Sequence, residues 1–426
     1  MAALAGLLVL PRVFASTNPD DEPSLGTVWE MVQEGQIHPA IALAKRLYDE
    51  KRLQPGDYAQ LLTLVGDEEA IEQVMARPSS SARSRGISDE KFSIVPALGA
   101  IQNLAKGRRV VILNESHYDQ RHRAFAQLLA TRLREIGFTH FAAETFSPSI
   151  KHSMEDGAPD GQSGVYVADP VFGDLVRQAG KIGYTLFPYE QTDAQRAIAQ
   201  RENTDPRISR EEAQAHNISS LLRDFPNARI FVYAGGSHLL ETPDAAGREW
   251  MAALLRRHSG IDPLTIDQVA GTPHESTARE SNIYISMKPI LGRGISVAIN
   301  EMGGYASKDG ADLVIFHPNV AAPNARPRWL YMCGYRLPFD VQIGASEKRR
   351  LIRAFLLGEA SGSIPVDQVL VAKGERQASL LLPTGRYRIE AQAESGLNSV
   401  LIASYDASKR KASDSLREYR EASSCE

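Results

Sequence analysis

Four short apolar segments each end in a glutamate or a histidine, and this repeated arrangement restricts the fold more than any other feature of the sequence. Helical patterns of apolar residues follow the segments, at 124–136, 170–182, 210–225 and 247–258. Strands that alternate with helices are typical of βαβ units. The sequence therefore predicts an α/β fold with a mostly parallel sheet. The segments end at Glu115, Glu144, Glu190 and His238.

The first of these segments delivers two side chains that commonly bind metals or transfer protons. Residues 110–113 predict a buried strand, which continues through Asn114 to Glu115 and His117. In an extended segment, residues two apart point the same way. Ligands of open α/β sheets bind at the carboxyl ends of the strands. We therefore expect Glu115 and His117 to face one site, with an ordinary surface turn as the alternative.

The later strand ends are expected to reach the same site. Glu144 follows an apolar segment and precedes an aromatic residue, and a carboxylate in such surroundings is costly to bury without a partner. Glu190 has a similar setting, with capping of the next helix as the alternative. His238 follows two glycines, which let the backbone approach a ligand closely. The prediction is that these side chains surround one partly water-filled hollow.

Further polar residues are candidates for a supporting role. His122 lies near the start of the helix that follows the first strand, and Arg210 and Asn217 lie in the helix before the last strand. These side chains could orient the carboxylates of the site or simply face solvent. His317, at the end of a later apolar segment, is an outlying candidate.

The residue types favour direct activation of water. Neither a G-x-S-x-G nucleophile elbow nor a P-loop occurs in the sequence. In one chemistry, His117 or His238 is a general base oriented by Glu115 or Glu144. In the other, these four residues bind a divalent metal that activates water, and mixed nitrogen and oxygen ligands suit zinc, manganese or cobalt. The residues leave both alternatives open.

The order of these motifs resembles that in the erythromycin esterase, ChaN-like and Tiki superfamily. The matching features are a strand followed by E-x-H, a second strand ending in Glu, and a late strand ending in G-x-H. Residues 210–218 also resemble its R-E-x-x-x-x-x-N-I helix. The resemblance covers residues 95–270 and extends to 312–330. The family has Gly where Asn114 stands here, and Asn tolerates the left-handed backbone of a turn.

The resemblance implies two kinds of function, which are hydrolysis and the binding of haem or iron. Erythromycin esterase-like members imply an ester hydrolase, Tiki-like members imply a metal-dependent protease, and ChaN-like members imply a protein that binds haem or iron. Our leading hypothesis is a hydrolase that cleaves an ester or amide bond in a small molecule or peptide. The alternative is a haem- or iron-binding protein in which the same histidines are ligands. A third hypothesis is a protein that uses its α/β fold only to bind partners.

Composition changes along the chain predict a set of domains. A helical hairpin is followed by an α/β domain of the catalytic type, in which residues 147–164 form a loop over the strand ends. Residues 282–287 are predicted as a strand within that domain. A small β-rich domain and a charged tail complete the chain. The predicted bounds are 1–16 for a signal segment, 25–86 for the hairpin and linker, 87–345, 346–407 and 408–426.

The net charge, the apolar runs and the cysteines indicate which partners and which cellular compartment to expect. A net charge of -4 argues against nucleic acid as a partner. No apolar run reaches the length of a membrane span. The apolar N-terminus, with small residues before Ser16, predicts export to the periplasm or outside the cell. No basic residue precedes this run, so a helical N-terminal cap of a cytoplasmic protein is the alternative. Cys333 and Cys425 could pair in an oxidising compartment.

Overall fold

The computed structural model describes residues 22–76, 91–154, 157–308, 310–319, 326–396 and 399–406. The predicted signal segment, the linker at 78–86, the charged tail and Cys425 lie outside the described residues.

Within the described residues the chain alternates between helices and strands over most of its length. None of these helices is both long and apolar enough to cross a membrane. The helices are α1 (Leu25–Gln33), α2 (Ile37–Asp49), α3 (Pro55–Thr63), α4 (Glu68–Val74), α5 (Ala97–Ala105), α6 (Gln120–Glu135), α7 (Ile150–Ser153), α8 (Pro170–Lys181), α9 (Asp193–Arg201), α10 (Pro206–Asp224), α11 (Met251–Ser259) and α12 (Asn282–Met287). The strands are β1 (Phe92–Pro96), β2 (Val110–Glu115), β3 (His140–Ala143), β4 (Thr185–Pro188), β5 (Ile230–Gly235), β6 (Leu264–Asp267), β7 (Ser296–Asn300), β8 (Leu313–Val314), β9 (Leu337–Gln342), β10 (Arg350–Leu356), β11 (Asp367–Val371), β12 (Gln377–Leu382), β13 (Arg386–Ala393) and β14 (Ser399–Asp406).

A six-stranded parallel sheet forms the centre of the α/β region, and this confirms the predicted fold class. Its strands lie in the order β4-β3-β5-β2-β6-β8. Successive side chains of a strand point to opposite faces, so β2 contributes side chains to the packing on both faces of the sheet. Val111 and Leu113 pack with α5, α6 and α8, whereas Val110 and Ile112 pack with α10 and α11. Because helices cover both faces of the sheet, every residue of β2 is buried, and residues 110–113 form a continuous apolar run.

The predicted helical hairpin is built from four helices rather than two. Each predicted helical stretch is divided at a glycine in the left-handed region, Gly35 between α1 and α2 (φ 74°) and Gly66 between α3 and α4 (φ 66°). A residue in this conformation ends a helix, and glycine adopts it without steric cost. His38 of α2 also donates its backbone N–H to Gln392 of β13 (3.0 Å), so the helices contact the C-terminal strands.

The predicted strand at 282–287 is wrong, because these residues form α12. Ser281 caps this helix by accepting a hydrogen bond from the backbone N–H of Tyr284 (3.1 Å). A short apolar run does not distinguish a strand from a buried helical turn. The sequence also predicts a strand at 296–300, which is present as β7, but it pairs antiparallel with β1 outside the parallel sheet.

Small antiparallel sheets follow the α/β region, as the sequence predicts. One has the order β11-β10-β13-β14, and β9 pairs with β12 in another. The sequence predicts four strands in the small β-rich domain, which correspond to β11, β12, β13 and β14, whereas β9 and β10 were not predicted. The β9–β12 pairing joins residues on either side of position 345/346, where the predicted domain boundary lies.

Candidate functional site

The carboxyl end of β2 holds a carboxylate and an imidazole in direct contact. The Oε1 atom of Glu115 lies 2.8 Å from Nδ1 of His117. The His117 ring stacks on the Tyr166 ring with 4.4 Å between centroids. Because the carboxylate accepts the Nδ1 proton, Nε2 is the ring nitrogen that keeps a lone pair. This pairing matches a histidine arranged to receive a proton.

A buried arginine holds the Glu115 side chain in its charged form. The Nε atom of Arg123 donates to Oε2 of Glu115 (3.1 Å), and its Nη2 donates to the backbone carbonyl of His117 (2.8 Å). Asp169 lies 3.3 Å from the same guanidinium. Burial alone would raise the pKa of Glu115, but the Arg123 charge and the His117 hydrogen bond lower that pKa to about 2. The carboxylate is therefore ionised throughout the physiological range.

The next strand of the sheet ends in a second buried carboxylate. Glu144 directly follows β3, accepts the backbone N–H of Gly235 at Oε2 (2.6 Å) and pairs through Oε1 with Arg210. Burial opposes its ionisation, but the positive charges of Arg210 and His238 hold the pKa of Glu144 well below its usual range. This carboxylate is also charged at neutral pH.

Arg210 of α10 connects the ends of three strands. Its Nε donates to Oε1 of Glu190 after β4 (3.0 Å), and its Nη2 contacts both Glu190 (2.5 Å) and Glu144. Its Nη1 lies 3.2 Å from Nε2 of His238 after β5. Buried ion pairs are stable only when such hydrogen bonds satisfy them. One guanidinium thus pairs with two of the predicted strand-end carboxylates, Glu144 and Glu190, and lies beside His238 at the end of a third strand.

His238 is held as a cation rather than as a base. Its Nδ1 lies 2.8 Å from Oε2 of Glu211, which also accepts the backbone N–H of Met251 (2.8 Å). Burial would lower the pKa of His238, but the charges of Glu211 and Glu144 raise that pKa to about 10. At neutral pH the imidazole is protonated and carries a positive charge. Between the two histidines, the arrangement favours His117 as a proton acceptor.

Gly235 lies between the His117 ring and the Glu144 carboxylate. A Cβ at this position would lie 2.5 Å from Nε2 of His117 and 2.9 Å from Oε2 of Glu144. The free nitrogen of His117 and the Glu144 carboxylate therefore approach the same point. Glu115, His117, Glu144 and His238 are brought together through these contacts, with Arg210 between the last two. Their chemical role stays a prediction.

A methyl group at Gly235 is expected to disrupt this junction. Its backbone (φ -77°, ψ 151°) suits alanine, so steric contact with His117 and Glu144 is the only obstacle. Gly235→Ala should lower turnover at least roughly tenfold and destabilise the fold by about 1–3 kcal/mol. Gly99→Ala in α5 is the control, because open space surrounds that glycine. Equal activity of the two variants would contradict the proposed convergence.

Two of the residues predicted for a supporting role, Asn217 and His122, lie in different parts of the structure. Asn217 donates from Nδ2 to the backbone carbonyls of Tyr189 and Glu190 (both 3.1 Å), so it fixes the backbone before the site rather than a carboxylate. His122 is buried and does not join the cluster. Its Nδ1 accepts the Ser116 N–H (2.9 Å), and its ring lies 5.6 Å from that of His317. Both histidines belong to the opposite side of β2.

The expected left-handed turn at Asn114 is wrong. Asn114 is a strand residue of β2, and its backbone does not have a positive φ. Its Nδ2 donates to Asp267 (2.8 Å), and its Oδ1 accepts the backbone N–H of Gln268 (2.8 Å). Asn114 therefore ties the end of β2 to the end of β6 by side-chain hydrogen bonds, which a glycine could not make.

Several residues of the cluster were not predicted. Arg123 comes from α6, whereas Tyr166 and Asp169 come from the segment just before α8, and nothing in their local sequence marks them as neighbours of Glu115. Glu211 could have been found from the sequence, because it directly follows Arg210 in the R-E-x-x-x-x-x-N-I motif. Side chains one residue apart on a helix point about 100° away from each other, so the two residues reach the cluster in different directions from the same turn of α10.

The observed contacts do not provide a metal site. Both oxygens of Glu115 and both oxygens of Glu144 are engaged by histidine, arginine or amide donors, and Arg210 occupies the position between Glu144 and Glu190 where a cation would bind. Among the described residues, no group of three or more His, Cys, Asp or Glu side chains is arranged to hold a metal ion. The donor set therefore fits arginine rather than zinc, manganese or cobalt.

Chelation is accordingly expected to have no effect on turnover. Dialysis against a chelator, followed by an assay without added metal, should leave at least roughly half of the starting rate, because the arginines already neutralise the carboxylates. A loss of turnover that zinc, manganese or cobalt restores would show that the metal chemistry applies.

No protein-family model and no curated protein matches the chain. Solved structures that it resembles in part include the type III effector HopBA1 (12% identity, 43% of this chain and 90% of that chain, TM-score 0.29). They also include the haem-binding ChaN of Campylobacter jejuni (9%, 45% and 94%, 0.29) and RRSP, a MARTX toxin effector domain from Vibrio vulnificus (9%, 55% and 42%, 0.31). These scores describe a distant relationship of fold and carry no argument about function.

Proposed function

We propose that this protein is a hydrolase that activates water with His117 to cleave an ester or amide bond. The observation that supports the proposal is the Glu115–His117 pair, whose 2.8 Å contact leaves the second ring nitrogen directed at the Glu144 and Gly235 junction. A carboxylate that orients a histidine in this way is the usual arrangement of a general base.

The proposed reaction needs only residues of the cluster. Nε2 of His117 takes a proton from water while the water oxygen attacks the carbonyl carbon. Negative charge then develops on the carbonyl oxygen, and the cations Arg210 and His238 are the groups that stabilise it. When the tetrahedral intermediate collapses, the bond to the leaving group breaks and His117 returns the proton to that group. The enzyme ends in its starting state.

Exposure favours one side of the cluster for substrate approach. The side chains of Glu115 and Glu144 are 3% and 7% exposed, whereas those of His117 and Arg210 are 15% and 21% exposed. A carbonyl group that reaches the cluster therefore meets His117 and Arg210 first. Tyr166, stacked on His117, follows residues 157–164, and we propose that this segment borders the entrance.

The haem alternative fits the contacts less well. Nδ1 of each histidine is occupied by a carboxylate, and Nε2 of His238 lies 3.2 Å from the Arg210 guanidinium. An iron ion there would lie against the Arg210 cation and would have to break the buried pairs of Arg210 with Glu144 and Glu190, which is costly. Haem binding is therefore retained as an outcome of the test and not as a second proposal.

The test is an assay of the purified chain against a panel of activated esters and short peptides. A substrate that responds should be turned over roughly 10²–10⁴ times more slowly by His117→Ala, which removes the base. Arg132→Gln on α6 is a control, because that arginine forms a surface pair with Glu135 (3.6 Å). Absence of turnover on the whole panel, together with a Soret band on adding haem that His117→Ala abolishes, would support the alternative.

Turnover should also fall at high pH. The folded-state pKa of His238 lies above its ordinary value, so its positive charge is present below about pH 10 and is lost above it. Since this charge stabilises the developing oxyanion, kcat should decrease as the pH rises through about 10. A rate that stays constant to pH 11, in protein shown to be folded, would remove His238 from the mechanism.

A further inference from the structure

A separate cavity of about 900 Å³ opens on the other half of the same sheet edge. The Glu/His cluster lies over β2, β3, β4 and β5, whereas this cavity lies beyond β6 and β8. Its walls come from residues 66–72, 118–121, 273–275 and 317–319, so the N-terminal helices close it on one side. None of the four principal residues of the cluster lines it.

Arg121 places unsatisfied hydrogen-bond donors in this cavity, near the carboxylates of Asp119 and Glu68. It is the second residue of α6, and its Nε and Nη1 atoms are buried without a hydrogen-bond partner in the described part of the chain. Buried guanidinium nitrogens without a hydrogen-bond partner are costly, so such atoms commonly serve a ligand. Neighbouring cations of the wall are already paired, Arg279 with Glu72 (2.6 Å) and Lys288 with Glu280 (2.7 Å).

His317 provides an unsatisfied acceptor in the same wall. The ring is fully buried, and its Nδ1 has no hydrogen-bond partner among the described residues. Its Nε2 lies 3.2 Å from Oε1 of Gln268, whose Nε2 donates to the backbone carbonyl of Asn114 (2.6 Å). Because the amide oxygen of Gln268 only accepts, Nε2 of His317 must carry the proton. Nδ1 therefore has a lone pair that needs a donor.

We propose that this cavity is a second binding site, for a small hydroxyl-rich molecule that carries one anionic group. The anionic oxygens bind Arg121, and a hydroxyl group donates to Nδ1 of His317. The carboxylates of Glu69 and Glu275, which also line the cavity, accept further hydroxyl groups. A volume of about 900 Å³ suits a sugar-sized anion and is far larger than an inorganic ion needs.

Calorimetric titration with four probes tests the proposal. Glucose 6-phosphate and glucuronate carry hydroxyl groups with a phosphate or a carboxylate, glucose lacks the charge, and inorganic phosphate lacks the sugar. At least one sugar anion should bind at least roughly tenfold more tightly than glucose and inorganic phosphate. The preferred anion identifies the charged group. No binding of either sugar anion at about 10 mM, or equal binding of inorganic phosphate, would overturn the proposal.

Variants connect the binding to the cavity. Arg121→Gln should weaken the sugar anion at least roughly tenfold, because a charge-assisted hydrogen bond is lost, whereas Arg132→Gln on the same helix should bind normally. The unfolding temperature of each Arg121 variant, measured alongside, separates a loss of binding from a loss of fold. Arg121→Lys, which keeps the charge, should bind with intermediate affinity. Unchanged affinity in both Arg121 variants would contradict the assignment.

One further variant separates this site from the Glu/His cluster. His117→Ala should bind the sugar anion with wild-type affinity, because His117 does not line the cavity. If the affinity disappears in this variant, the sugar anion occupies the cluster and a second site does not exist. The outcome does not depend on hydrolysis, so it stands whether or not the proposed activity is found.

Discussion

Replacing Arg210 with methionine is expected to destabilise the fold by about 3–5 kcal/mol, because the carboxylates of Glu144 and Glu190 would remain buried without their counter-ion. The methionine retains most of the side-chain volume, so the loss reports charge rather than packing. The measurement is the free energy of unfolding in urea at neutral pH, where Glu144 is ionised in the wild type.

Arg196→Met on α9 is the matched control for this experiment. Arg196 pairs with Asp193 at 3.1 Å on the surface, where the Asp193 side chain is 87% exposed. Surface pairs contribute little, so this variant should change stability by less than about 1 kcal/mol. Similar small effects of both substitutions would show that Arg210 does not hold the strand ends together.

Replacing Glu115 with glutamine is expected to lower kcat by roughly 10³–10⁴-fold while the fold is retained. The glutamine has one oxygen and one amide nitrogen for two partners. Arg123 can only donate, so the oxygen must face Arg123 and the amide nitrogen must face His117. Nδ1 of His117 then has to accept, and the ring proton moves to Nε2. A histidine in that tautomer cannot take a proton from water.

The kinetics and the control of this variant are specific. The loss should appear in kcat more than in KM, because the altered proton position affects the reacting state rather than substrate binding. Glu202→Gln is the control, since Glu202 is an exposed residue at the end of α9. Wild-type kcat in Glu115→Gln would mean that Glu115 does not set the tautomer of His117.

The central strands and their polar ends could be predicted from the sequence because both signals are local. β2 begins with the uninterrupted apolar run 110–113 and ends at Glu115, so the side chain's position at the sheet edge depends only on the strand itself. Glu144 and His238 follow the same rule. Parallel strands end at a common edge, and this general property places the three residues near each other before any contact is known.

The residues that determine the charge of the site could not be predicted in the same way. Arg123 lies eight positions after Glu115, and its contact depends on how α6 packs against the sheet. Glu211 pairs with His238 across 27 positions, and this pairing decides that His238 is a cation and not a base. The sequence therefore left two histidines as candidate bases, and only the positions of their carboxylate partners distinguish them.

Short elements were the other source of error. Residues 282–287 have too few positions for helical periodicity to differ from a strand pattern, and the deciding feature is the cap at Ser281. β10 is flanked by charged residues, and Arg353 within it is buried against the carbonyl of Gly35 (3.0 Å). An arginine in that position indicates a surface segment unless its distant partner is known.

The most direct test of the account is the kcat of the double variant Glu115→Gln, His117→Ala on a responsive ester or peptide. If Glu115 acts only through His117, the double variant should be no slower than His117→Ala, because residues that act as a unit are not additive. A double variant whose loss equals the product of the two single losses would show that the two residues act independently, and it would contradict the proposed water activation.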